Sequence, residues 1–365
     1  MPTIQEIIQE IEGFAPLAYQ ESYDNAGLLV GDKSKKINQV LICLDCTEAV
    51  LDEAIQKKCG LIIAHHPIIF GGLRSLTGKN YIERIVIKAI KHGIAIYAAH
   101  TNLDNISSGV NAKIAEKLGL SHTQILDPKP SLLKQLYTYV PKANVIQVRE
   151  ALFAAGAGEI GAYSQCSYLL EGNGTFLPNE DANPYIGQKN QLHQEAETKI
   201  EVILPAHLEG KVLQALKQSH PYEEIAYGFI QLSNTNPYIG SGIIGTLQAP
   251  LKLVDFLKLL KKKMKTNTIK YTNIPNKLVH KVAVCGGSGS FLLPKAIHAG
   301  ADIFVSGDFK YHQFFDGEDK IVIADIGHYE SEQFTGEIFY EILSKKFPSF
   351  AIHLTSVNTN PVSYF

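Results

Sequence analysis

The sequence predicts an α/β protein, with a layered α/β/α main domain built from both chain ends and an inserted α+β domain between them. Three observations carry that prediction. At 365 residues the chain exceeds the size at which a single hydrophobic core usually stops growing, so two domains are expected. Short apolar runs alternate with longer amphipathic stretches near both ends, the pattern of βαβ units. Between them the texture becomes polar and rich in turn-forming Gly, Pro, Asn and Gln. The expected division is 1–124 and 238–365 for the main domain and 125–237 for the insertion.

Taken in order, MPTIQEIIQEIEGFAP reads as an amphipathic helix with acidic residues and no basic one, the reverse of a signal peptide. Apolar runs follow at INQVLICLD (37–45), CGLIIAHH (59–66) and GIAIYAAH (93–100), separated by the helical patterns TEAVLDEAIQKK and NYIERIVIKAIKHG. The second pattern ends on Gly93, as a helix C-terminus should. A further helix, GVNAKIAEKLGL, closes this part near residue 120. The alternation resumes with HKVAVCGG (280–287), ADIFVSGD (301–308) and KIVIADIG (320–327). Continuously apolar strands are usually buried on both faces of a sheet, so the two ends read as halves of one domain. The middle has its own units: helices near NVIQVREALFAAGAG and EGKVLQALKQSH, and strands near SQCSYLLEG, KIEVILP and AYGFIQL.

Composition narrows the class. A hydrophobic fraction of 45% and a charged fraction of 19% match an ordinary globular protein and argue against long disorder. The balance of 34 basic against 36 acidic residues supplies no field that would draw the chain to nucleic acid or an anionic membrane. No run reaches the length a membrane helix needs, and a cytoplasmic location is expected. Cys43 and Cys46 form a C-x-x-C without the second pair of a structural zinc site, and read as reduced core residues on a strand.

Chemistry concentrates at the strand ends. Three apolar strands run into potential metal ligands: CGLIIA into His65 and His66, IAIYAA into His100 and then Asp104, and IVIADIG into His328. Ligands gather outside the carboxyl ends of strands in open α/β sheets. Neighbouring His65 and His66 converge only if the strand has ended, which Pro67 favours. Gly327 should break its strand and start a helix at His328, placing His328 and Glu332 on one helical face and Glu330 elsewhere. Three imidazoles and two carboxylates suit zinc, iron, manganese or nickel better than magnesium. Five ligands exceed one catalytic zinc site, so two divalent ions bridged by a carboxylate and a water are expected. Asp308 and His312, four apart in SGDFKYH, could move protons nearby or act as cap and orienting residues. The backbone of GGSGS (286–290) could cradle an anion or form a plain tight turn.

These residues resemble the NIF-three-like proteins, the dinuclear-metal family also called type two GTP cyclohydrolase homologs. The similarity runs through SYDNAGLLVG (22–31), LIIAHHP (61–67), AAHTNLD (98–104), GGSGSF (286–291), SGDFKYH (306–312), ADIGHYESE (324–332) and NTNPVSY (358–364). It implies the same ligands, His65, His66, Asp104, His328 and Glu332, with Glu332 bridging two ions. It also implies a toroidal homohexamer with sites facing an internal cavity. In the insertion, GEIGAYSQCSY (158–168) and HPYEEIAY (220–227) resemble the PII/CutA type of module, and His220, Tyr222 and Glu223 read as a turn fixing the next strand or as a functional group. The resemblance implies a metal-dependent hydrolase of a nucleotide or phosphoester, with Asp308, His312 and His100 as candidates for proton transfer or ligand orientation. The competing class is a non-enzymatic hexameric metal-binding or adaptor protein with a sensing insertion.

Overall fold

Helix Ile4–Phe14 begins with a reciprocal cap: the Glu6 N–H donates to Thr3 Oγ1 at 3.2 Å and the Thr3 N–H donates to Glu6 Oε2 at 2.7 Å, satisfying two amides that a helix start leaves orphaned. Ile4, Ile7, Ile8 and Ile11 share its buried face. Helix Tyr81–His92 is capped by Asn80 and stops at Gly93 with φ 62°, a conformation that costs glycine nothing.

The computed structural model describes residues 1–365. The chain divides into two compact units, one from residues 1–128 and 237–365 and one from residues 129–236. Within the first unit the two ends build two sheets, each taking most of its strands from one end and one edge strand from the other. The first sheet has five strands in the order Gly27–Val30, Ala95–Ala98, Leu61–Ala64, Gln39–Cys43 and Ala351–Leu354. All neighbours are parallel except the first pair. The second has six strands, ordered Lys270–Tyr271, Val322–Asp325, Ile303–Gly307, Leu278–Ser288, Gly240–Lys252 and Ser121–Pro128. Leu278–Ser288, Ile303–Gly307 and Val322–Asp325 run parallel, and the outer strands are antiparallel.

The apolar runs form strands because both faces are covered. Leu41, Ile62 and Ile96 of the first sheet pack against Val50, Leu51, Ile85 and Ala89 of two flanking helices. Ala283, Phe304 and Ile323 of the second sheet pack with Leu293 and Ala296. Helices Val110–Leu118 and Thr335–Lys346 touch each other, the former also packing on the six-stranded sheet and the latter on the five-stranded one. This packing brings the carboxyl ends of the parallel strands of both sheets within reach of each other.

The second unit is a four-stranded antiparallel sheet, Tyr168–Phe176, His193–Pro205, Leu133–Pro141 and Tyr227–Gln231. Helices Val145–Ala154 and Glu209–Ser219 cover one face through Val148, Leu152, Val212 and Leu216. Strands Ser121–Pro128, Leu133–Pro141 and Gly240–Lys252 are not among the expected elements. The last contains Gly240, Gly242, Gly245 and Pro250, which read as turn signals. The glycines mark close approach instead: a Cβ at Gly240 would stand 2.2 Å from the Asp127 carbonyl oxygen on the paired strand. No helix is long and apolar enough to cross a membrane.

Candidate metal centre

Strand Leu61–Ala64 ends where Pro67 suggests, and the N–H groups of His65 and His66 both donate to the Leu44 carbonyl at 3.1 and 3.0 Å. The turn frees both imidazoles from strand alternation. Ala98 ends the next strand, His100 caps the single helical turn Thr101–Asp104, and Asp104 closes it. Gly327, at φ 94°, leads into helix His328–Glu332. His328 and Glu332 then face the same way, with Nε2 and Oε2 3.1 Å apart. Glu330 points elsewhere and accepts from the Asn360 amide at 3.0 Å.

All four imidazoles at this centre are anchored through Nδ1. His65 Nδ1 lies 2.8 Å from the Ala99 carbonyl oxygen, His66 Nδ1 2.7 Å from Asp45, His100 Nδ1 2.7 Å from Asp24, and His328 Nδ1 2.7 Å from Asp308. A carbonyl or carboxylate oxygen only accepts, so each Nδ1 carries the hydrogen and each Nε2 is left as the inward donor of a lone pair. Glu332 lies among the Nε2 atoms of His65, His66 and His328. Its Oε2 is 2.9 Å from His66 Nε2 and 3.1 Å from His328 Nε2, while its Oε1 is 3.9 Å from His65 Nε2. His65 Nε2 is 3.6 Å from Asp104 Oδ1, and His66 and His328 Nε2 are 3.4 Å apart.

The electrostatics call for positive charge at the centre. Burial opposes charging His66, but Asp45 and Glu332 outweigh it and push its pKa up to about 10. His328 rises to about 9 against the same burial penalty, through Glu332 and Asp308. Burial and the neighbouring Glu332 raise Asp104 to about 8. Glu332 is held well below the usual carboxylate range despite full burial, because His328, His65 and His66 surround it. What stabilises protons on these imidazoles also stabilises metal cations.

The donor set fits such ions. His65, Asp104 and Glu332 form one group whose ligand atoms lie within 4.8 Å of one another; His66, His328 and Glu332 form a second, and His65, His66 and His100 a third. Tetrahedral ligation at about 2.0–2.2 Å places donor atoms roughly 3.3–3.6 Å apart, close to the spacings here. His65 Nε2 and Asp104 Oδ1 are buried without a hydrogen-bond partner, a costly arrangement for two lone pairs unless a cation lies between them. A cavity of about 440 Å³ opens beside the centre, reaching His66, Asp308, His328, Lys270, Asn360 and Tyr364.

The other expectations divide. His100 belongs to the cluster itself, with its ring centroid 5.4 Å from both His65 and His66. Asp308 holds His328, the orienting role. His312 is not brought to the centre: it is exposed on Tyr311–Gly317, and its ring contacts are Tyr311 and Phe315. The glycine-rich stretch 286–290 forms no free anion cradle, because the N–H groups of Gly286, Gly287 and Gly289 donate to Asn111, Ser331 and Ser306. It packs under the centre instead, where a Cβ on Gly287 would meet Glu332 Oε1 at 2.4 Å. Cys43 and Cys46 are buried free thiols, with Cys46 pushed up to about 12 by burial. Asp24 and Asp45, which hold His100 and His66, are the residues of this cluster that motif reading overlooked. Their signal is positional, since Asp45 ends the run LICLD and Asp24 precedes the strand Gly27–Val30.

Fold and site together define a class: an α/β protein whose two sheets direct histidines and carboxylates from both chain ends into one buried cluster suited to metal ions. The chain belongs to the Duf34/NIF3 (NGG1p interacting factor 3) family, whose model matches residues 2–361. It is 40% identical to a Bacillus subtilis (strain 168) protein named GTP cyclohydrolase 1 type 2 homolog, over 99% of this chain and 98% of that one. Among solved structures, a Bacillus cereus protein related to NIF3 is similar at a TM-score of 0.87 and 38% identity, covering 100% of this chain and 99% of that one. Staphylococcus aureus protein SA1388 is similar at 0.80 and 31%, with coverage of 100% and 99%.

Proposed function

We propose that this protein is a metal-dependent hydrolase acting on a nucleotide or phosphoester. In this reading, His65, His66, Asp104, His328 and Glu332 hold two divalent ions of zinc, iron, manganese or nickel, with Glu332 shared between them. The observation that carries it is the set of three imidazoles, His65, His66 and His328, each anchored at Nδ1 and presenting Nε2 towards Glu332, with the orphaned oxygen of Asp104 beside His65. When bound, such ions lower the pKa of a water and polarise an electrophile. The chain's own contribution is orientation. Asp45 and Asp308 keep the protons of His66 and His328 on Nδ1, and Asp24 does the same for His100, leaving its Nε2 free to take a proton or to serve as a further ligand. His312 has no part in it. Lys270 lines the adjoining cavity with its ammonium 2.6 Å from Asp325 Oδ2, and its two remaining hydrogens are available to an anionic substrate.

Residues 129–236 are read as an inserted domain carried by this metal domain, and the family resemblance adds a homohexamer, which light scattering would check. The relatives' name supports a nucleotide substrate, though shared fold alone does not establish one. The test is metal analysis of chelator-free protein, followed by turnover of GTP and assorted phosphoesters by wild type and a His65→Ala, Glu332→Ala double variant. The variant should lose most of its metal and all measurable turnover. Turnover unchanged in that variant would refute the hydrolase reading, and wild-type protein without metal would refute the ligand assignment.

A further inference from the structure

We propose that the unit formed by residues 129–236 carries a second ligand site, separate from the metal centre, that binds a small aromatic molecule bearing a cationic amine, with Glu197 as its counter-ion. The unit holds a cavity of about 590 Å³, within the range of sites that enclose small organic ligands. One wall is strand Tyr168–Phe176, and others are the loop that follows it and the stretch around Tyr222–Ala226.

The wall is shaped around a carboxylate. Glu197 is only 8% exposed, yet it lines the cavity, and its Oε1 accepts a hydrogen bond from the neutral Tyr222 hydroxyl at 2.9 Å. Its Oε2 stands over Gly174, where a Cβ would approach to 2.2 Å. Glycine inside a strand weakens it and commonly marks a place that another group must approach closely. Here the group accommodated is the Glu197 oxygen. A buried carboxylate supported only by a neutral hydroxyl is costly, and a cation entering the cavity relieves that cost.

The remaining lining sets the ligand's shape and sign. Phe176 and Tyr185 each pack against Tyr222, with centroids 6.0 and 6.3 Å apart, offering ring faces and edges to a planar guest. These same faces attract cations. The lining includes Lys199, but its ammonium is held by Glu201 at 2.5 Å and lies over the Tyr137 ring. Against it stand Glu197, Glu223 and Glu224, while Glu171 is paired with Lys142 at 2.8 Å. A phosphate or carboxylate ligand would meet net negative charge and no free cation, which separates this cavity from a nucleotide site. Glu223 accepts the Asn183 N–H at 2.8 Å, fastening the loop over the opening.

The test uses the full chain and three probes: tryptamine, indole-3-acetate and butylamine, titrated by ligand-observed NMR. Tryptamine should bind wild type saturably, and the anion and the ring-free amine at least tenfold more weakly. Glu197→Gln should weaken tryptamine at least tenfold. Ala182→Trp, which adds bulk from the loop without touching the sheet, should abolish binding while circular dichroism and the thermal midpoint stay those of wild type. Absence of saturable tryptamine binding at low-millimolar concentration would overturn the proposal. So would affinity unchanged in Ala182→Trp, or indole-3-acetate binding as tightly as tryptamine. Should Glu197→Gln fail to fold, the loop variant and the probe ranking still decide.

Discussion

At the scale of single residues, the centre depends as much on what stands behind the imidazoles as on the imidazoles themselves. Asp45 accepts from His66 Nδ1 at 2.7 Å and in turn accepts the Thr359 hydroxyl at 2.7 Å, so the tail of the chain fixes the residue that orients this imidazole. Removing such a support typically costs ten- to a hundredfold in metal affinity. Asp45→Ala should therefore weaken metal binding by about that factor, while Asp45→Asn, which keeps an acceptor facing Nδ1, should fall between the two. Competition titration against a coloured chelator measures both. Equal affinity in Asp45→Ala and wild type would show that the ring is held by packing alone.

At the scale of elements, the residues that follow the C-terminal strand Ala351–Leu354 are tied to helix Glu48–Gln56 by one carboxylate. Glu53 accepts the Ser356 N–H at 3.0 Å, the Ser356 hydroxyl at 2.9 Å and the Thr355 hydroxyl, and pairs with Lys57 at 2.8 Å. Burial raises its pKa, but these donors more than offset the penalty and bring it from 4.5 down to about 2. A folded-state value below the unfolded one means stability that is present in full above about pH 4.5 and lost as pH falls towards 2. At pH 7, Glu53→Gln should cost roughly 2–3 kcal/mol. The gap from wild type should close as the pH falls from about 4.5 to 2, as denaturant melts across that range would read. A gap independent of pH would mean that the amide makes the same hydrogen bonds.

At the scale of the whole molecule, the second unit enters and leaves the first through adjacent strands. Pro128 pairs antiparallel with Gly240, so the two junctions lie side by side, a distance that a short hairpin turn spans. Replacing residues 130–236 by a short Asn-Gly turn should leave the first unit folded, with its metal content unchanged and a single cooperative melt. An excised chain that is unfolded or metal-free would show that the first unit needs the second.

Much of the centre was legible because its signals are local. A strand running into His65, His66 and Pro67 has to end there, and Gly327 followed by residues four apart yields a helical face bearing His328 and Glu332 whatever surrounds it. The exclusion of Glu330 rested on the same 3.6-residue period. Among the strands missed, Gly240–Lys252 uses its glycines for interstrand approach, which looks like a turn until the partner strand is known, while Ser121–Pro128 and Leu133–Pro141 have no glycine and carry polar residues between their apolar ones. His100 and His312 looked alike in sequence, each a few residues past a strand, and only packing drew one into the cluster and left the other on an exposed aromatic surface. The sequence by itself therefore determined the fold class, the strand ends and the side-chain types that meet beyond them, since these follow from periodicity and short-range sterics. Tertiary structure alone decided the anchoring of each Nδ1, made by residues as far apart as Asp24 and His100 or Asp45 and His66, and the cavity around Glu197. Both depend on distances between segments remote in the chain, which no local pattern encodes.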